Sequence, residues 1–276
     1  MTIGQALKET QNRLNLNEKE MAAGVISTSM YSRVVRGERS IRSDLLIELL
    51  LVHGIDIENF FYKVKDTYSS VNTRLEEKLE NEMMLAINRF DVEAGNNCFK
   101  EISEANVSWY LKIRGKIDVA YLNRNTKDLD EDFVNLIIHN LTDSNNWIYN
   151  INKLKLFGTA MIILPYDFVE KMIDAFFRKI DRAPQLSQSM QERLATTCGK
   201  YLHWKYDHIE KMDNLKCDRH SLRAIKFMQN LIPTKGNMIY IIAARYYMSL
   251  FTGNVERAKK IREELLDAGY NIIVNN

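Results

Sequence analysis

Apolar residues recur at helical spacing over almost the whole chain. Over residues 14–37 (LNLNEKEMAAGVISTSMYSRVVRG) they predict two short helices joined by a tight turn and followed by a glycine stop. Leu16, Met21 and Ala22 pack the first of these, and Ile26, Tyr31 and Val34 pack the second. Gly24 stands at the bend between them, where a residue without Cβ turns sharply. The outward positions of the second helix are short or basic: Thr28, Ser29, Ser32 and Arg33. That combination describes a helix-turn-helix whose second helix fits the major groove of DNA.

Each residue type has a physical role in such a reading. Asn17 and Ser27 are N-caps, and helix starts favour phosphate. Thr28, Ser29 and Ser32 are small enough for close approach to base edges. Arg33 suits a bidentate pair with guanine. Arg36, Arg39 and Arg42 follow on a loop and a helix start, where they would clamp phosphates. The competing reading is an amphipathic helix pair with a solvated basic loop.

Beyond residues 63–75 (KVKDTYSSVNTRL), where apolar density drops, the helical rhythm continues. This stretch reads as a linker, or as a linking helix starting near Ser69 or Ser70. LRAIKFMQNL at Leu222 and ERAKKIREEL at Glu256 echo each other at an offset of 34 residues, the period of a tetratricopeptide helix pair. The echo pairs Ala224 with Ala258 and Leu231 with Leu265. Between them lies a helix over 237–251, ended by Gly253 and followed by an N-cap at Asn254. Earlier second-helix candidates begin near Val92, Asp130 and Pro165, and longer first-helix candidates lie near 104–123, 145–163 and 187–204. An irregular helical bundle is the alternative to stacked pairs.

Proline and glycine are scarce, at 3 and 11 in 276 residues, which argues against a turn-rich sheet fold. The net charge is only +2, so affinity for DNA has to come from the local cluster Arg33–Arg42. Cys98, Cys198 and Cys217 are far apart and read as reduced thiols of a cytoplasmic protein. No apolar run reaches the ~18 residues that span a membrane, and the N-terminus reads as a polar helix rather than a secretion signal. His203 and His208 lie five apart, not the four that metal ligands on one helix need, and no catalytic motif occurs at a recognisable spacing. No metal, cofactor or enzymatic activity is expected. Glu76, Glu77, Glu80 and Glu82, alternating with Arg74 and Lys78, read as a solvated helix face.

With an opening helix (IGQALKETQNRLN), then NEKEMA and STSMYSRVVRGE, a long apolar helix (RSDLLIELLLVHGI) and a last short one (DIENFFYKV), residues 3–64 resemble the XRE-type helix-turn-helix domain of phage repressors, most specifically over GVISTSMYSRVVRGERSI (24–41). Glu18 departs from that pattern, which often has glutamine there. With about 200 residues of degenerate helical repeats behind it, including WIYNINKLKLFGTAMIILPYDFVEKMI (147–173), the whole chain resembles the Rgg/MutR/GadR group of transcriptional regulators, and more distantly the PlcR and PrgX groups. The resemblance implies an all-α protein: a lambda-repressor-like DNA-binding domain (1–65), a linker (66–75) and a TPR-like domain (76–276) for peptide sensing and dimerisation. It also implies a cytoplasmic homodimer on double-stranded promoter DNA, at an inverted repeat. Its activity would be set by a short quorum-sensing peptide, and RNA polymerase would be a further partner. Stacked pairs curve into a concave face, expected to be lined by the first helices. Asn150, Lys153, Arg193, Thr197, Asn237 and Tyr240 are the polar candidates for holding an extended peptide there. Of the aromatic residues, Trp147, Tyr149, Tyr201, Trp204, Tyr246 and Tyr247 are candidates for apolar pockets or for the core between helices. A helical scaffold for protein partners, and a repressor that answers to no ligand, are the two other functions in view. The apolar tail Ile272, Ile273 and Val274 is one candidate dimerisation surface.

Overall fold

A computed structural model of the chain describes residues 1–144, 147–183, 186–210 and 217–270. Among these the regular secondary structure is helical, and no strand is formed. The chain divides into two compact units, Met1–Glu77 and Lys78–Asn276.

The first unit holds five helices: α1 (Ile3–Arg13), α2 (Glu18–Ala22), α3 (Thr28–Val35), α4 (Ser43–Val52) and α5 (Ile57–Tyr68). Their starts are set by side-chain caps. Thr2 and Gln5 form a capping box on α1, and Asn17 and Glu20 form another on α2. Ser27 caps α3 by accepting from the Met30 N–H, and Asp56 caps α5. The turn between α2 and α3 needs two consecutive left-handed residues, Ala23 (φ 49°) and Gly24 (φ 75°). Glycine takes this conformation freely, while alanine does so at a cost.

Met21, Ala22, Ile26, Tyr31 and Val34 are buried as the apolar pattern predicted, and Leu16 packs at the edge of that core. Tyr31 is fully buried, and its hydroxyl donates to the Leu7 carbonyl (3.3 Å) or the Gln11 side chain (3.1 Å). This holds α3 against α1. At Gly4 an added Cβ would lie 2.2 Å from the Val34 carbonyl oxygen, so the two helices meet at a distance that only glycine allows.

Helix α6 (Val71–Arg89) carries the chain from the first unit into the second. The stretch expected as a linker is therefore the end of α5, a break at Ser69 and Ser70, and the first turns of α6.

The second unit continues with α7 (Val92–Glu104), α8 (Trp109–Leu122), α9 (Glu131–Thr142), α10 (Ile151–Ala160) and α11 (Tyr166–Ile180). It ends with α12 (Gln188–Glu210), α13 (Arg219–Gln229), α14 (Met238–Phe251) and α15 (Val255–Asp267). Helix α7 packs on α8, α9 on α10, α12 on α13, α13 on α14 and α14 on α15, and α8, α10, α12 and α14 pack side by side as an inner layer. The 34-residue echo falls on α13 and α15, whose Ala224 and Ala258 are both buried where helices approach closely. Gly253 (φ 70°) ends α14, and Asn254 caps α15.

Asn88 on α6 donates to the carbonyl of Gly269 after α15 (3.1 Å), so the array curves until its first and last helices touch. The inner helices line the concave face as expected, but length does not mark them. Helix α10 has 10 residues, against 12 in α9 and 15 in α11. The tail Ile272–Val274 and Pro184 lie outside the described residues.

Candidate functional site

Two surfaces collect the residues singled out above, one in each unit. On the first, Ser27, Thr28, Ser29 and Arg33 are exposed along α3, with Ser32 half-buried between them. Arg36 is held rather than free. Its guanidinium makes two bonds to the Glu38 carboxylate (2.6 and 3.1 Å) and a third to the Ser32 hydroxyl (2.7 Å). Glu38 also lies 3.9 Å from Arg33. The Arg36 fork therefore lowers the pKa of the Glu38 carboxyl and fixes its own direction beside α3. Arg42 forks onto Asp44 in the same way (3.1 and 2.5 Å), and Arg39 is exposed.

Both expected N-caps on this surface are formed. Asn17 caps α2, and its N–H donates to the Glu20 carboxylate (2.8 Å). Ser27 caps α3 by accepting from the Met30 N–H (3.1 Å), which leaves its hydroxyl hydrogen free to donate. Glu18, half-buried in the first turn of α2, is close enough to act on the charges of Tyr31 and Arg36.

The second surface is a groove along the inner helices of the second unit. It has two connected parts of about 220 and 340 Å³, which share Ile87, Asp118, Gly158, Thr159, Thr196 and Lys200. Three of the six expected peptide-holding residues are here. Arg193 is exposed on the wall. Thr197 is buried beneath it, donating to the Arg193 carbonyl (3.2 Å). Tyr240 pairs with the Thr196 hydroxyl (2.9 Å).

The other three are posts of the fold. Lys153 is buried and gives its ammonium to the Asn140 carbonyl (2.8 Å) and to Asp143. Asn150 caps α10 through bonds from the N–H groups of Asn152 and Lys153 (3.0 and 3.2 Å). Asn237 is buried at the start of α14, with its amide on the Ile232 carbonyl (2.9 Å). Of the aromatic candidates, Trp204 and Tyr247 are buried and line the groove, Trp147, Tyr201 and Tyr246 belong to the core, and Tyr149 is exposed.

Apart from Arg193, the charges of the groove were not singled out from the sequence. Glu80 turns inward from α6, correcting its reading as part of a solvated face, while Arg74, Glu77 and Lys78 are exposed as expected. It accepts from Arg114 (2.8 Å) and Lys155 (2.7 Å). Arg114 and Lys155 hold the Glu80 carboxyl below its usual pKa against the opposing effect of burial. Lys200 reaches across to the Thr159 hydroxyl (3.3 Å), and it can do so because Gly158 leaves room. A Cβ there would lie 3.1 Å from the Lys200 chain. Burial pushes the Asp118 carboxyl up to about 6, against the pull of Lys200 and Arg114, and pushes the Lys200 ammonium down.

A signal for these residues does exist. Arg114 and Asp118, four apart, interrupt the apolar α8, and Lys155 and Thr159 do the same in α10.

The second unit also holds a saturated ion network away from the groove's charges. Buried Lys205 bonds Glu170 (2.7 Å), Asp218 (2.6 Å) and the Tyr166 hydroxyl (2.5 Å), and His220 bonds Glu170 (2.9 Å). Every charge there has its partner, as a structural clamp between α11, α12 and α13 requires. Among the described residues, His, Cys, Asp and Glu form no cluster of three that could hold a metal ion.

The architecture is that of an all-helical protein with an N-terminal helix-turn-helix unit and a C-terminal array of helix pairs around a groove. No protein-family model and no curated protein sequence matches the chain. Solved structures share its fold over nearly its full length. A protein from Listeria monocytogenes EGD-e, named as a transcriptional regulator, superposes with a TM-score of 0.71 at 14% identity, over 99% of this chain and 93% of that one. The Streptococcus dysgalactiae SHP pheromone receptor Rgg2 superposes with a TM-score of 0.64 at 14% identity, over 99% and 96%. The PrgX/iCF10 complex gives 0.66 at 15% identity, over 97% and 90%. At such identities the likeness establishes the fold.

Proposed function

We propose that the chain is a sequence-specific DNA-binding transcriptional regulator controlled by a short peptide bound in the groove of its helical array. One observation carries this reading. A helix-turn-helix with an outward-facing Arg33 on α3 and a grooved helical array occur in one chain, whose fold is shared over 99% of its length with the SHP pheromone receptor Rgg2. In this reading residues 1–65 bind DNA, 66–75 connect, and 76–276 sense the peptide and dimerise. Thr28, Ser29, Ser32 and Arg33 face base edges, while Arg36, Arg39 and Arg42 meet phosphates. Arg193, Thr197 and Tyr240 belong to the peptide groove.

The protein works as a cytoplasmic homodimer. Two recognition helices about 34–36 Å apart call for an inverted repeat in promoter DNA, close enough to RNA polymerase to alter its access. Among the described residues no helix is long and apolar enough to cross a membrane. The chemistry is binding rather than catalysis.

A genome-wide map of host DNA fragments retained by the protein tests the reading. A few sharp sites with an inverted repeat, lost on Arg33→Ala with Arg36→Ala, are the expected result. Diffuse retention at physiological salt, or host functions untouched by those substitutions, would favour a protein-interaction scaffold. Sharp sites unaffected by any peptide would favour a ligand-independent repressor.

A further inference from the structure

The groove has two chemically different halves. One is apolar: Met161, Ile162, Trp204, Met228, Ala243 and Tyr247 line it. The other carries four cations, Arg114, Lys155, Arg193 and Lys200, against two carboxylates, Glu80 and Asp118. Glu80 is shared between Arg114 and Lys155, which leaves positive charge in excess. Lys200 and Arg193 have no carboxylate within 4 Å among the described residues. Arg114 is 8% exposed and its Nε has no partner, although the side chain lines the groove. Trp204, 2% exposed in the apolar half, likewise has its Nε1 hydrogen without an acceptor. A buried donor without an acceptor is costly, and a cation drawn partly out of water gains most from an anion.

We propose that the groove selects peptides of mixed character. A carboxylate is seated between Arg114, Lys155 and Lys200, and a run of apolar side chains lies against Trp204, Met228 and Tyr247. This rests on the reading of the groove as a peptide site and adds to it the class of peptide. The carboxylate is an Asp or Glu side chain or the peptide's own C-terminus, which have the same chemistry. A neutral or basic peptide leaves the surplus cations unanswered and is rejected. Peptide carbonyls passing Trp204 take its indole hydrogen. Asp118 is the group that opposes the ligand. An incoming carboxylate repels it, and its raised affinity for a proton lets it go neutral at small cost, so binding takes up a proton and tightens as pH falls towards 6.

The test uses the full chain and two synthetic libraries of randomised heptapeptides, one with free C-termini and one amidated, with retained peptides read by mass spectrometry. The expected result is retention of peptides rich in Leu, Ile, Val and Phe that also bear Asp, Glu or, in the first library only, a free terminus. A retained peptide is then resynthesised with its carboxylate replaced by the amide. Wild-type protein should lose about tenfold or more in affinity, and the Lys200→Met and Lys155→Met variants much less. Methionine keeps the alkyl chain of each lysine, so neither change empties a packed position. Retained peptides that are neutral or basic, or an amide replacement without loss, would overturn the proposal and leave the peptide reading standing. If neither library yields a retained peptide, both fall.

Discussion

The helix-turn-helix unit and the helical array place their polar residues in opposite ways. On α3 the outward residues belong to one short stretch of chain, and their neighbours in space are their neighbours in sequence: Ser32, Arg36 and Glu38 bond one another within two to four positions. In the array, Glu80 meets Arg114 and Lys155 across 34 and 75 positions, and Lys200 meets Thr159 across 41. A site built from one segment displays its chemistry on the outside of a single amphipathic helix. A site built from the faces of six helices displays it only after those helices have been stacked. Predictions that separate the two units test whether this difference in construction is also a difference in function.

The largest effect is expected on the α3 surface. Replacing Arg33 and Arg36 together by alanine removes the guanidinium proposed to read a base and one proposed to clamp a phosphate. At about 1–3 kcal/mol for a good bidentate base contact, the pair should weaken operator binding by roughly a hundredfold, as measured by fluorescence anisotropy at fixed salt. Peptide affinity, measured on the same protein by calorimetry, should stay within twofold. A parallel loss of peptide binding would break the separation of roles.

Next in size is a packing change. Gly4→Ala sets a Cβ 2.2 Å from the Val34 carbonyl, an approach that backbone must yield to accommodate. Overpacking of this kind costs about 1–3 kcal/mol, and here it prises α1 from α3, the helix proposed to face DNA. Chemical denaturation followed by circular dichroism should show the first unit unfolding earlier, with the groove's peptide affinity kept. A single unshifted transition would mean that α1 relaxes without strain.

How far each site was legible follows from the same contrast. The two helices over 14–37, their caps at Asn17 and Ser27 and the turn at Gly24 were visible because caps and turns are local chemistry, and the other helices of 3–64 followed from the resemblance. The later helices were found to within a few residues wherever a proline, an asparagine cap or an apolar stripe marked them, as at Pro165 and Asn254. Of the six residues expected to hold a peptide, Arg193, Thr197 and Tyr240 line the groove, while on α10 it is Lys155 rather than Lys153 that does so. Helix α10 shows why the phase was hard to read. Lys153, Leu154, Leu156, Phe157, Gly158, Thr159 and Ala160 are all buried, so the helix has no wet stripe to fix its phase. Two residues along a helix is roughly 200° of rotation, which separates Lys153 from Lys155. Asn150 and Asn237 lie at helix starts, where Asn150 caps α10 and the Asn237 amide donates to the Ile232 carbonyl.

Asp118→Asn sharpens the comparison from the groove side. The carboxyl's pKa is raised from 3.8 to about 6, chiefly by burial. Between pH 4 and 6 the folded state therefore binds more protons than the unfolded chain, and stability falls as pH rises through that window. The full shift corresponds to at most about 3 kcal/mol. Asparagine forgoes the attraction to Lys200, so a gain of about 1–2 kcal/mol is expected near pH 7.5, shrinking to nothing below pH 4. Denaturation midpoints at the two pH values measure it. Equal stability at both would mean that Lys200 fully compensates the carboxylate. An acidic peptide should also bind the variant more tightly and without taking up a proton.

The smallest change lies at the start of α2. Glu18 places a carboxylate beside the surface where phosphates would lie, and it is near enough to bear on Arg36. Glu18→Gln keeps the shape and the helix start but removes one negative charge. Facing DNA, that charge is repulsive across a gap filled with water and counterions, where interactions of this type are worth a few tenths of a kcal/mol to about one. Operator affinity should rise two- to fivefold at low salt, with the gain fading as salt is added. A fall in affinity confined to one operator sequence would have another meaning. It would show Glu18 accepting from a cytosine amine in the major groove, a base reader on α2 in addition to those on α3. Titrations on operators that differ at single positions separate the two, because repulsion of phosphate does not depend on the base and an accepted hydrogen bond does.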